Sequence, residues 1–366
     1  MKRILHKTIL QFTVLVLLVV ICIGITSQRE APSKKQKGAH VFGHLDSINL
    51  QPFIKNNYNW ITLVPFSGQN DVDSPTLVYH RRNRLESVRR DSVWRAQIAV
   101  AHAMGFKVFL KPHIWIHSPK EGKWRSDIYP SSEAHWESWK KEYRDFILLY
   151  AKIAEESGVE LFCIGTELSR LSVEKPEFWT ALVKEVRNIY SGKLTYAANW
   201  MNEFEQIQFW NDLDYIGIQA YFPLTKHTRP SVEQISEGWK KHLPSMELIH
   251  EKFHKKILFT EMGYKSTADS AIKPWQWIEN YADHKDLVSY ETQANFYKAF
   301  FKQVWNKEWF EGVHIWQLRS DYVAWYKCIY CKIFDALVKV KSKITLWRRY
   351  LLGCIFSYWR KCRHWR

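Results

Sequence analysis

The feature that most constrains the fold is a regular alternation of two kinds of segment. Eight short apolar runs have the length and the β-branched content of buried strands, and they occupy residues 39–43, 60–66, 107–115, 161–167, 193–199, 213–221, 256–264 and 312–318. Between these runs lie longer segments with helical periodicity, at residues 88–104, 132–156, 176–190, 231–253 and 290–305. A long helix is missing only after the first run and at residues 200–212.

This alternation predicts an α/β fold built on parallel strands. Continuous apolar strands are typical of a sheet that helices cover. Eight strand–helix units fit a single-domain (β/α)8 TIM barrel at residues 39–321. A doubly wound open sheet is the alternative, but no Gly-x-Gly-x-x-Gly follows the first run, so nothing indicates a dinucleotide site. We expect no cofactor and no metal, because no motif for either is visible.

The positive charge of the chain is concentrated at its two ends. The net charge is +16. Residues 1–37 hold seven Lys and Arg against one acid, residues 322–366 hold eleven against one, and the body between them holds 35 of each. Nucleic-acid binding requires a basic face on the folded domain, so the neutral body argues against a nucleic-acid partner.

The amino end has the pattern of an export signal. Lys2, Arg3 and Lys7 precede an uncharged, mostly apolar stretch at residues 13–25. We assign residues 1–27 to a signal peptide or an uncleaved membrane anchor, and residues 28–38 to a linker. The chain is therefore expected outside the cytoplasm, where it is secreted, periplasmic or anchored to the membrane by this segment. Lipidation at Cys22 is disfavoured because no small residue directly precedes it.

The carboxyl end, residues 322–366, is an atypical basic tail rich in Trp and Cys. A change of reading frame near Asp321 would produce such a tail, and a genuine membrane-binding or partner-binding extension is the alternative. The sequence does not decide between the two, and it does not decide whether the barrel closes. Only Cys163 lies in the body, so a disulfide scaffold is excluded there. Cys328 and Cys331 form a pair without a second pair or a His at zinc-finger spacing, which argues against a metal site.

Two glutamates mark the expected active site. Active sites of such barrels lie at the carboxyl ends of the strands. Glu167 and Glu261 terminate the fourth and seventh strands, each directly after an apolar stretch, so they are expected to face each other across the mouth. A carboxylate pair so placed is what glycosidic hydrolysis needs. The alternative is a structural role, in which a glutamate pairs with a lysine such as Lys111.

Aromatic residues at neighbouring strand ends provide flat apolar surfaces for sugar rings. We expect His113, Trp115, Trp124 and Trp200 to surround a sugar. The alternatives are a core position for each Trp and a supporting role for His113. The partner expected for such a site is a polysaccharide or oligosaccharide substrate, bound by a monomer.

The strand-end strings resemble those of glycoside hydrolase family 113. The match covers about residues 40–320. The matching strings, in order, are KPHIW, LFCIGTEL, LTYAANW, FWNDLDYIGIQAYFPL, ILFTEMGY and GVHIWQ, with Trp124-Arg125-Ser126-Asp127 after the first. The resemblance implies a retaining (β/α)8 glycosidase that cleaves β-1,4-mannosidic linkages in mannan-type polysaccharides by double displacement. The tail departs from the family, which continues into a polar loop and a last helix.

The resemblance also implies roles for individual residues. It makes Glu167 the acid/base, Glu261 the nucleophile and Tyr221 the residue that hydrogen-bonds the nucleophile. Trp316 takes the position that floors the sugar site. Thr166 stands where much of the clan has Asn gripping the sugar 2-hydroxyl, and our candidate for that grip is Asn199. A related β-glycanase, and a non-catalytic carbohydrate-binding barrel held at the membrane, remain the alternatives.

Overall fold

The structure of the chain is a computed structural model that describes residues 35–78, 84–276 and 286–319. The expected signal or anchor at residues 1–27, most of the linker and the tail at residues 322–366 lie outside these residues and stay predictions. Each helix within the described ranges is too short or too polar to cross a membrane.

Parallel strands close into a barrel around a central axis. The described residues form ten strands: β1 (Gln36–Phe42), β2 (Trp60–Leu63), β3 (Phe66–Gln69), β4 (Lys107–Leu110), β5 (His113–Ile116), β6 (Leu161–Thr166), β7 (Lys193–Asn199), β8 (Tyr215–Gln219), β9 (Ile257–Met262) and β10 (Phe310–Arg319). Eight of them form a closed barrel in the order β1-β10-β9-β8-β7-β6-β4-β2. The predicted closed barrel of eight parallel strands is therefore confirmed, and the pairing of β1 with β10 closes it.

Helices connect the strands, and five of the seven in the described ranges lie where helical periodicity predicts them. In the described ranges they are α1 (Ser47–Lys55), α2 (Arg84–Ala103), α3 (Glu133–Glu156), α4 (Ser169–Glu174), α5 (Pro176–Arg187), α6 (Val232–Phe253) and α7 (Tyr290–Gln303). Of these, α1 and α4 were not predicted. Side-chain caps set several starts: Ser132 begins α3, Ser289 begins α7, and Ser231 with Gln234 forms a capping box on α6. Residues 200–212 hold only a short 3-10 turn, as expected.

Two predicted strands are divided by prolines. Proline has no N–H to donate to a strand ladder, so Pro65 and Pro112 interrupt the runs that begin with β2 and β4. The second halves, β3 and β5, form a separate two-stranded parallel sheet. The first strand also differs from expectation, because residues 36–38, assigned to the linker from sequence, pair with residues 312–314 of β10.

Large aromatic side chains fill the layer between the barrel and its helices. Trp139, Trp179 and Trp210 are fully buried there. Their indole N–H groups donate to Gln69 Oε1 at 3.0 Å, to the Leu171 carbonyl at 3.0 Å and to the Phe204 carbonyl at 2.9 Å. A buried indole needs such a partner, so these tryptophans belong to the core rather than to a ligand site.

A polar cluster lies inside the barrel next to the seam between β1 and β10. His314 of β10 is fully buried, its Nδ1 lies 2.6 Å from the Thr62 hydroxyl, and its Nε2 lies 2.9 Å from Gln36 Oε1. Its neighbour His40 directs Nδ1 at the Ile315 carbonyl, 3.2 Å away. Burial lowers the pKa of both histidines well below 6.5, and the positive charge of Lys111 lowers each further.

These buried histidines predict that the chain loses stability on acidification. Below pH 6.5 these histidines bind protons in the unfolded chain, whereas His40, His113 and His314 stay neutral in the folded chain because their pKa values are lowered. The free energy of unfolding therefore rises with pH in this range. We expect His314→Gln to reduce this dependence by at most about 1.4 kcal/mol per pH unit. Urea unfolding between pH 7 and pH 5 measures it, and equal slopes for the two proteins would contradict the prediction.

Candidate active site

Glu167 follows the last residue of β6 at the mouth of the barrel. Its backbone adopts φ 51°, in the left-handed region, and its N–H donates to the Ala197 carbonyl of β7 at 2.9 Å. A non-glycine residue in this region costs about 1–3 kcal/mol and persists only where its surroundings hold it. Such strain is concentrated at functional sites, and here it turns a mostly buried carboxylate out of the strand direction.

Arg125 is the cation that pairs with Glu167. It begins the 3-10 turn Arg125–Asp127, and its Nε donates to Glu167 Oε2 at 2.9 Å. Its Nη1 lies 3.4 Å from His113 Nδ1 and 3.4 Å from the Ile114 carbonyl oxygen. Because both partners are nearly buried, at 12% and 11% side-chain exposure, solvent screens this ion pair less than a surface pair.

Glu261 lies at the end of β9 and is 3% exposed. Its Oε1 pairs with the ammonium of Lys111, which follows β4, and its Oε2 accepts a hydrogen bond from the Tyr221 hydroxyl at 3.0 Å. The Nε2 atoms of His40 and His113 lie 3.9 and 3.7 Å from Oε1. Each carboxylate oxygen is therefore held by a different donor.

Lys111 is buried completely, and its other hydrogen bonds come from the barrel wall. Its Nζ donates to Gln219 Oε1 at 3.1 Å and to the Thr260 carbonyl at 3.4 Å. The Thr260 hydroxyl donates to the same Gln219 oxygen at 3.0 Å. The ammonium of Lys111 thus joins β4 to β8 and β9 directly below Glu261.

Burial sets the protonation of the groups around Glu261. It lowers the pKa of Lys111, an effect that the negative charge of Glu261 opposes. Burial and the charge of Lys111 lower the pKa of His40 and His113 well below 6.5, so both rings are neutral near pH 7. Burial and the carboxylate raise the pKa of Tyr221, which keeps its hydroxyl proton available for Glu261.

The two carboxylates share His113 as a neighbour. Its Nε2 lies 3.7 Å from Glu261, while its Nδ1 lies 3.4 Å from the Arg125 guanidinium that binds Glu167. Glu167 and Glu261 therefore belong to one cluster, as the strand positions led us to expect. They differ in their cation, since Arg125 approaches from a loop and Lys111 from inside the barrel.

Trp316 lies on β10 beside this cluster. Its ring makes edge contacts with His40 at 4.9 Å and Phe42 at 5.2 Å between centroids. It lies parallel to the His113 ring, with 3° between the planes and 6.2 Å between centroids. A partly exposed indole next to both histidines is suitably placed as a flat surface for a bound sugar.

Three exposed aromatic rings, Phe66, Trp115 and Trp124, form a surface that we call the first aromatic platform. They are 38%, 47% and 38% exposed. Trp115 contacts Trp124 at 5.5 Å and Phe66 at 6.4 Å between centroids. The Arg125 guanidinium lies 5.2 Å from the Trp124 ring, which joins this platform to Glu167.

Trp200 and Trp275 form the second aromatic platform. Trp200 follows β7, and its ring stacks on Trp275 with 5.3 Å between centroids and 27° between planes. Trp275 is 46% exposed. Asn199, at the end of β7, has its side-chain oxygen 3.4 Å from the Met201 N–H, and its own N–H is bound by Glu203.

The structure brings together both carboxylates, Tyr221 and the aromatic strand ends that the sequence predicted for the site, and it places three residues beside them that the sequence did not predict. Arg125 and Trp275 come from connecting segments, whose paths periodicity does not predict. His40 lies in the first run and carried no other signal. Arg125 lies in the string at residues 124–127 that resembles the family, and this string is the sequence feature that could have indicated its place in the site. Among the described residues, His, Cys, Asp and Glu side chains form no group arranged to hold a metal ion.

The buried Lys111–Glu261 pair predicts a large effect on stability when one partner is removed. Lys111→Met leaves a buried carboxylate without its cation, which costs about 3–5 kcal/mol. Adding Glu261→Gln removes that charge, so we expect the double variant to recover much of the loss. Urea unfolding measures all three proteins. A single variant within 1 kcal/mol of the unmodified chain, or no recovery in the double variant, would contradict this.

Comparisons with known proteins give a family and similar solved structures. The model of glycoside hydrolase family 113 matches residues 44–328. No curated protein matches the chain. A solved GH113 β-1,4-mannanase complex has a TM-score of 0.65 at 22% identity, covering 78% of this chain and 89% of its own. The β-mannanase AaManA from Alicyclobacillus acidocaldarius, in complex with ManMIm, has a TM-score of 0.65 at 22% identity, covering 84% and 100%.

A third solved structure is more distant. The β-glucuronidase of Faecalibacterium prausnitzii has a TM-score of 0.54 at 12% identity, covering 84% of this chain and 49% of its own. At such identities the solved structures support the barrel fold alone. The family model spans well over half of the sequence, and on that match the chain belongs to glycoside hydrolase family 113.

Proposed function

We propose that the chain is a retaining glycoside hydrolase that cleaves β-1,4-mannosidic linkages in mannan-type polysaccharides. Glu261 is the nucleophile and Glu167 the acid/base. The observation that carries the proposal is the pair of carboxylates at the fourth and seventh barrel strands, which share His113 as a neighbour while each has its own cation. Retaining glycosidases need two carboxylates about 5–5.5 Å apart in distinct electrostatic environments.

In the first step, a Glu261 oxygen attacks the anomeric carbon while the bond from that carbon to the leaving sugar oxygen breaks. The leaving oxygen takes the proton of Glu167. Lys111 and Tyr221 each hold one oxygen of Glu261, because a buried carboxylate needs a cation or donors close to each oxygen. Arg125 stabilises the negative charge that develops on Glu167 as its proton leaves.

In the second step, Glu167 acts as a base. It takes a proton from a water molecule whose oxygen attacks the anomeric carbon and displaces Glu261, which regains its charge. The product has the configuration of the substrate because the carbon is inverted twice. Because the rings of His40 and His113 are neutral, Lys111 is the cation beside Glu261. A smaller positive charge around the free carboxylate stabilises it less and so leaves it more reactive as a nucleophile.

The two aromatic platforms support a polysaccharide as the substrate. The first belongs to β3, β5 and the loop after β5, which follow the second and third barrel strands. The second belongs to the end of the fifth barrel strand and the segment after the seventh. Around the barrel these positions alternate with those of Glu167 and Glu261. A line from one platform to the other therefore crosses the line between the carboxylates, and a sugar chain lying on both is cleaved in its interior.

Mannan is proposed as the sugar because two solved structures similar to this chain are named β-mannanases and share its family. The same residues are compatible with another β-linked glycan, since sugar identity depends on contacts to individual hydroxyl groups. They are also compatible with a binding barrel that does not cleave. Release of reducing ends from a panel of β-linked polysaccharides distinguishes the three, and we expect release from β-mannan.

Two substitutions test the assigned roles. Glu261→Gln removes the nucleophile but keeps its shape, so turnover should fall by at least about 10⁴-fold while binding of a β-mannan oligosaccharide persists. Glu167→Ala should still form the glycosyl-enzyme from an activated aryl glycoside and then hydrolyse it slowly. Azide needs no general base, so it should restore turnover and give a glycosyl azide of retained configuration, which NMR identifies.

A folding control accompanies both variants, since a cooperative thermal transition shows that each is intact. If the unmodified chain binds mannan and cleaves nothing in the panel, the chain is a binding module. A product of inverted configuration would instead reject Glu261 as a nucleophile.

The second platform predicts a length-dependent effect. Trp275→Ala removes one ring of a stacked pair, so KM for a long mannan oligosaccharide should rise about ten-fold, equivalent to about 1.4 kcal/mol of binding. The kcat and the KM for a mannobioside should be unchanged. Steady-state kinetics on both substrates measure this. Leu248→Ala, which removes an exposed apolar side chain of the outer helix α6, is the matched control. Equal effects on long and short substrates would exclude a sugar-binding role for Trp275.

A further inference from the structure

A third carboxylate, Glu203, is fully buried next to the segment that carries Glu167. Its Oε1 accepts hydrogen bonds from the Tyr196 hydroxyl at 2.6 Å and the Ser172 hydroxyl at 2.7 Å. Its Oε2 accepts from the Ser169 hydroxyl at 2.7 Å and the Asn199 N–H at 2.6 Å. These four donors are neutral, and together they occupy both oxygens of the carboxylate.

The donors connect Glu203 to two parts of the active-site mouth. Ser169 and Ser172 belong to α4, the short helix that begins two residues after Glu167. Tyr196 and Asn199 belong to β7, the strand next to the one that Glu167 follows. Glu203 therefore fixes α4 against β7, and the turn that carries Glu167 lies between them.

One of these donors reaches the backbone of the acid/base turn directly. The Leu168 N–H donates to the Tyr196 hydroxyl oxygen at 2.9 Å, so the hydroxyl proton is committed to Glu203. The neighbouring Glu167 N–H is held by the Ala197 carbonyl at 2.9 Å. The N–H groups of Glu167 and Leu168 are thus both anchored to β7, the second through the Tyr196 hydroxyl that Glu203 holds.

We propose that Glu203 is a positioning residue for the acid/base step, which holds Glu167 in its left-handed conformation through Tyr196, Leu168 and the start of α4. The inference rests on the proposed function, because it assigns a role to Glu203 through Glu167. A strained residue stays in place only where its surroundings over-determine it, and a displacement of about 1 Å in a catalytic group can cost about 100-fold in rate.

Glutamine cannot replace Glu203 without breaking one arm of this network. If its amide nitrogen takes the Oε2 position, it faces the Asn199 N–H, a group that can only donate. If the nitrogen takes the Oε1 position, the Tyr196 hydroxyl meets a second donor besides the Leu168 N–H. Glu203→Gln therefore loosens the network while it changes the side-chain volume very little.

The experiment compares two substrates that differ in their need for acid help. A β-mannan oligosaccharide has a poor leaving group, which must be protonated as it departs. In 2,4-dinitrophenyl β-mannobioside the leaving group is dinitrophenolate, which departs with little protonation. For Glu203→Gln we expect kcat on the oligosaccharide to fall about 100-fold. The rapid first release of dinitrophenol should fall less than about ten-fold. Azide should accelerate the steady-state turnover of the dinitrophenyl substrate by Glu203→Gln, as we also expect for Glu167→Ala.

Glu311→Gln is the matched control. Glu311 is another buried carboxylate, paired with Lys256 at 3.3 Å, but it lies at the start of β10, at the opposite end of the barrel. We expect this variant to lose stability while the ratio of its activities on the two substrates stays that of the unmodified chain, with no response to azide. If Glu203→Gln does not fold, Tyr196→Phe removes the connecting hydroxyl and must give the same pattern.

The outcomes separate this inference from the proposed function. An unmodified chain that cleaves neither substrate overturns the proposed function, and the inference with it. An active chain overturns the inference alone when Glu203→Gln or Tyr196→Phe lowers both activities by the same factor and azide has no effect. That result would give Glu203 a purely structural role.

Discussion

The buried ion pair between Lys111 and Glu261 is the interaction on which the rest of the site depends. Removing two charges from water costs several kcal/mol for each ion, so the pair is stable only where further hydrogen bonds complete it. Gln219 and the Thr260 carbonyl bind the ammonium, and the Tyr221 hydroxyl binds the second carboxylate oxygen. These partners belong to β4, β8 and β9 or to the residues that follow these strands. The strands come together because they belong to the same closed barrel.

Glu167 is held by a different kind of structure. Its cation arrives on a 3-10 turn, its backbone is strained, and its surroundings are a network of neutral donors around Glu203 rather than the barrel interior. Two carboxylates with such different environments are suited to two chemical roles, because the environment decides which one is ionised and which one exchanges a proton. The rigid position near Lys111 suits a nucleophile. A loop-held position beside Arg125 suits a group that gains and loses a proton in each cycle.

Periodicity predicted the barrel because burial on both faces gives each strand a continuous apolar run, and because parallel strands need helical connections. It also predicted that Glu167 and Glu261 would meet, since carboxyl ends of parallel strands converge. It did not predict the division of two runs into β2 with β3 and β4 with β5, although Pro65 and Pro112 stand at the breaks. Arg125, Trp275 and Glu203 were missed because loop paths and side-chain networks bring them to the site, and neither has a period in the sequence.

The barrel interior is apolar near the starts of the strands and polar near their ends, so a polar site and an apolar core occupy different levels of the barrel. Trp60, Leu161 and Leu258, near the starts of their strands, belong to one apolar cluster, whereas Lys111, Gln219 and Glu261 lie at or beyond the strand ends. His314 lies between the two layers, with its ring 5.0 Å from that of Phe109 and both nitrogens hydrogen-bonded. An aliphatic residue there would pack against the apolar layer but would remove the hydrogen bonds that His314 makes with the Thr62 hydroxyl and Gln36 Oε1. A neutral imidazole satisfies both layers, which explains a buried histidine where such barrels usually carry branched apolar side chains.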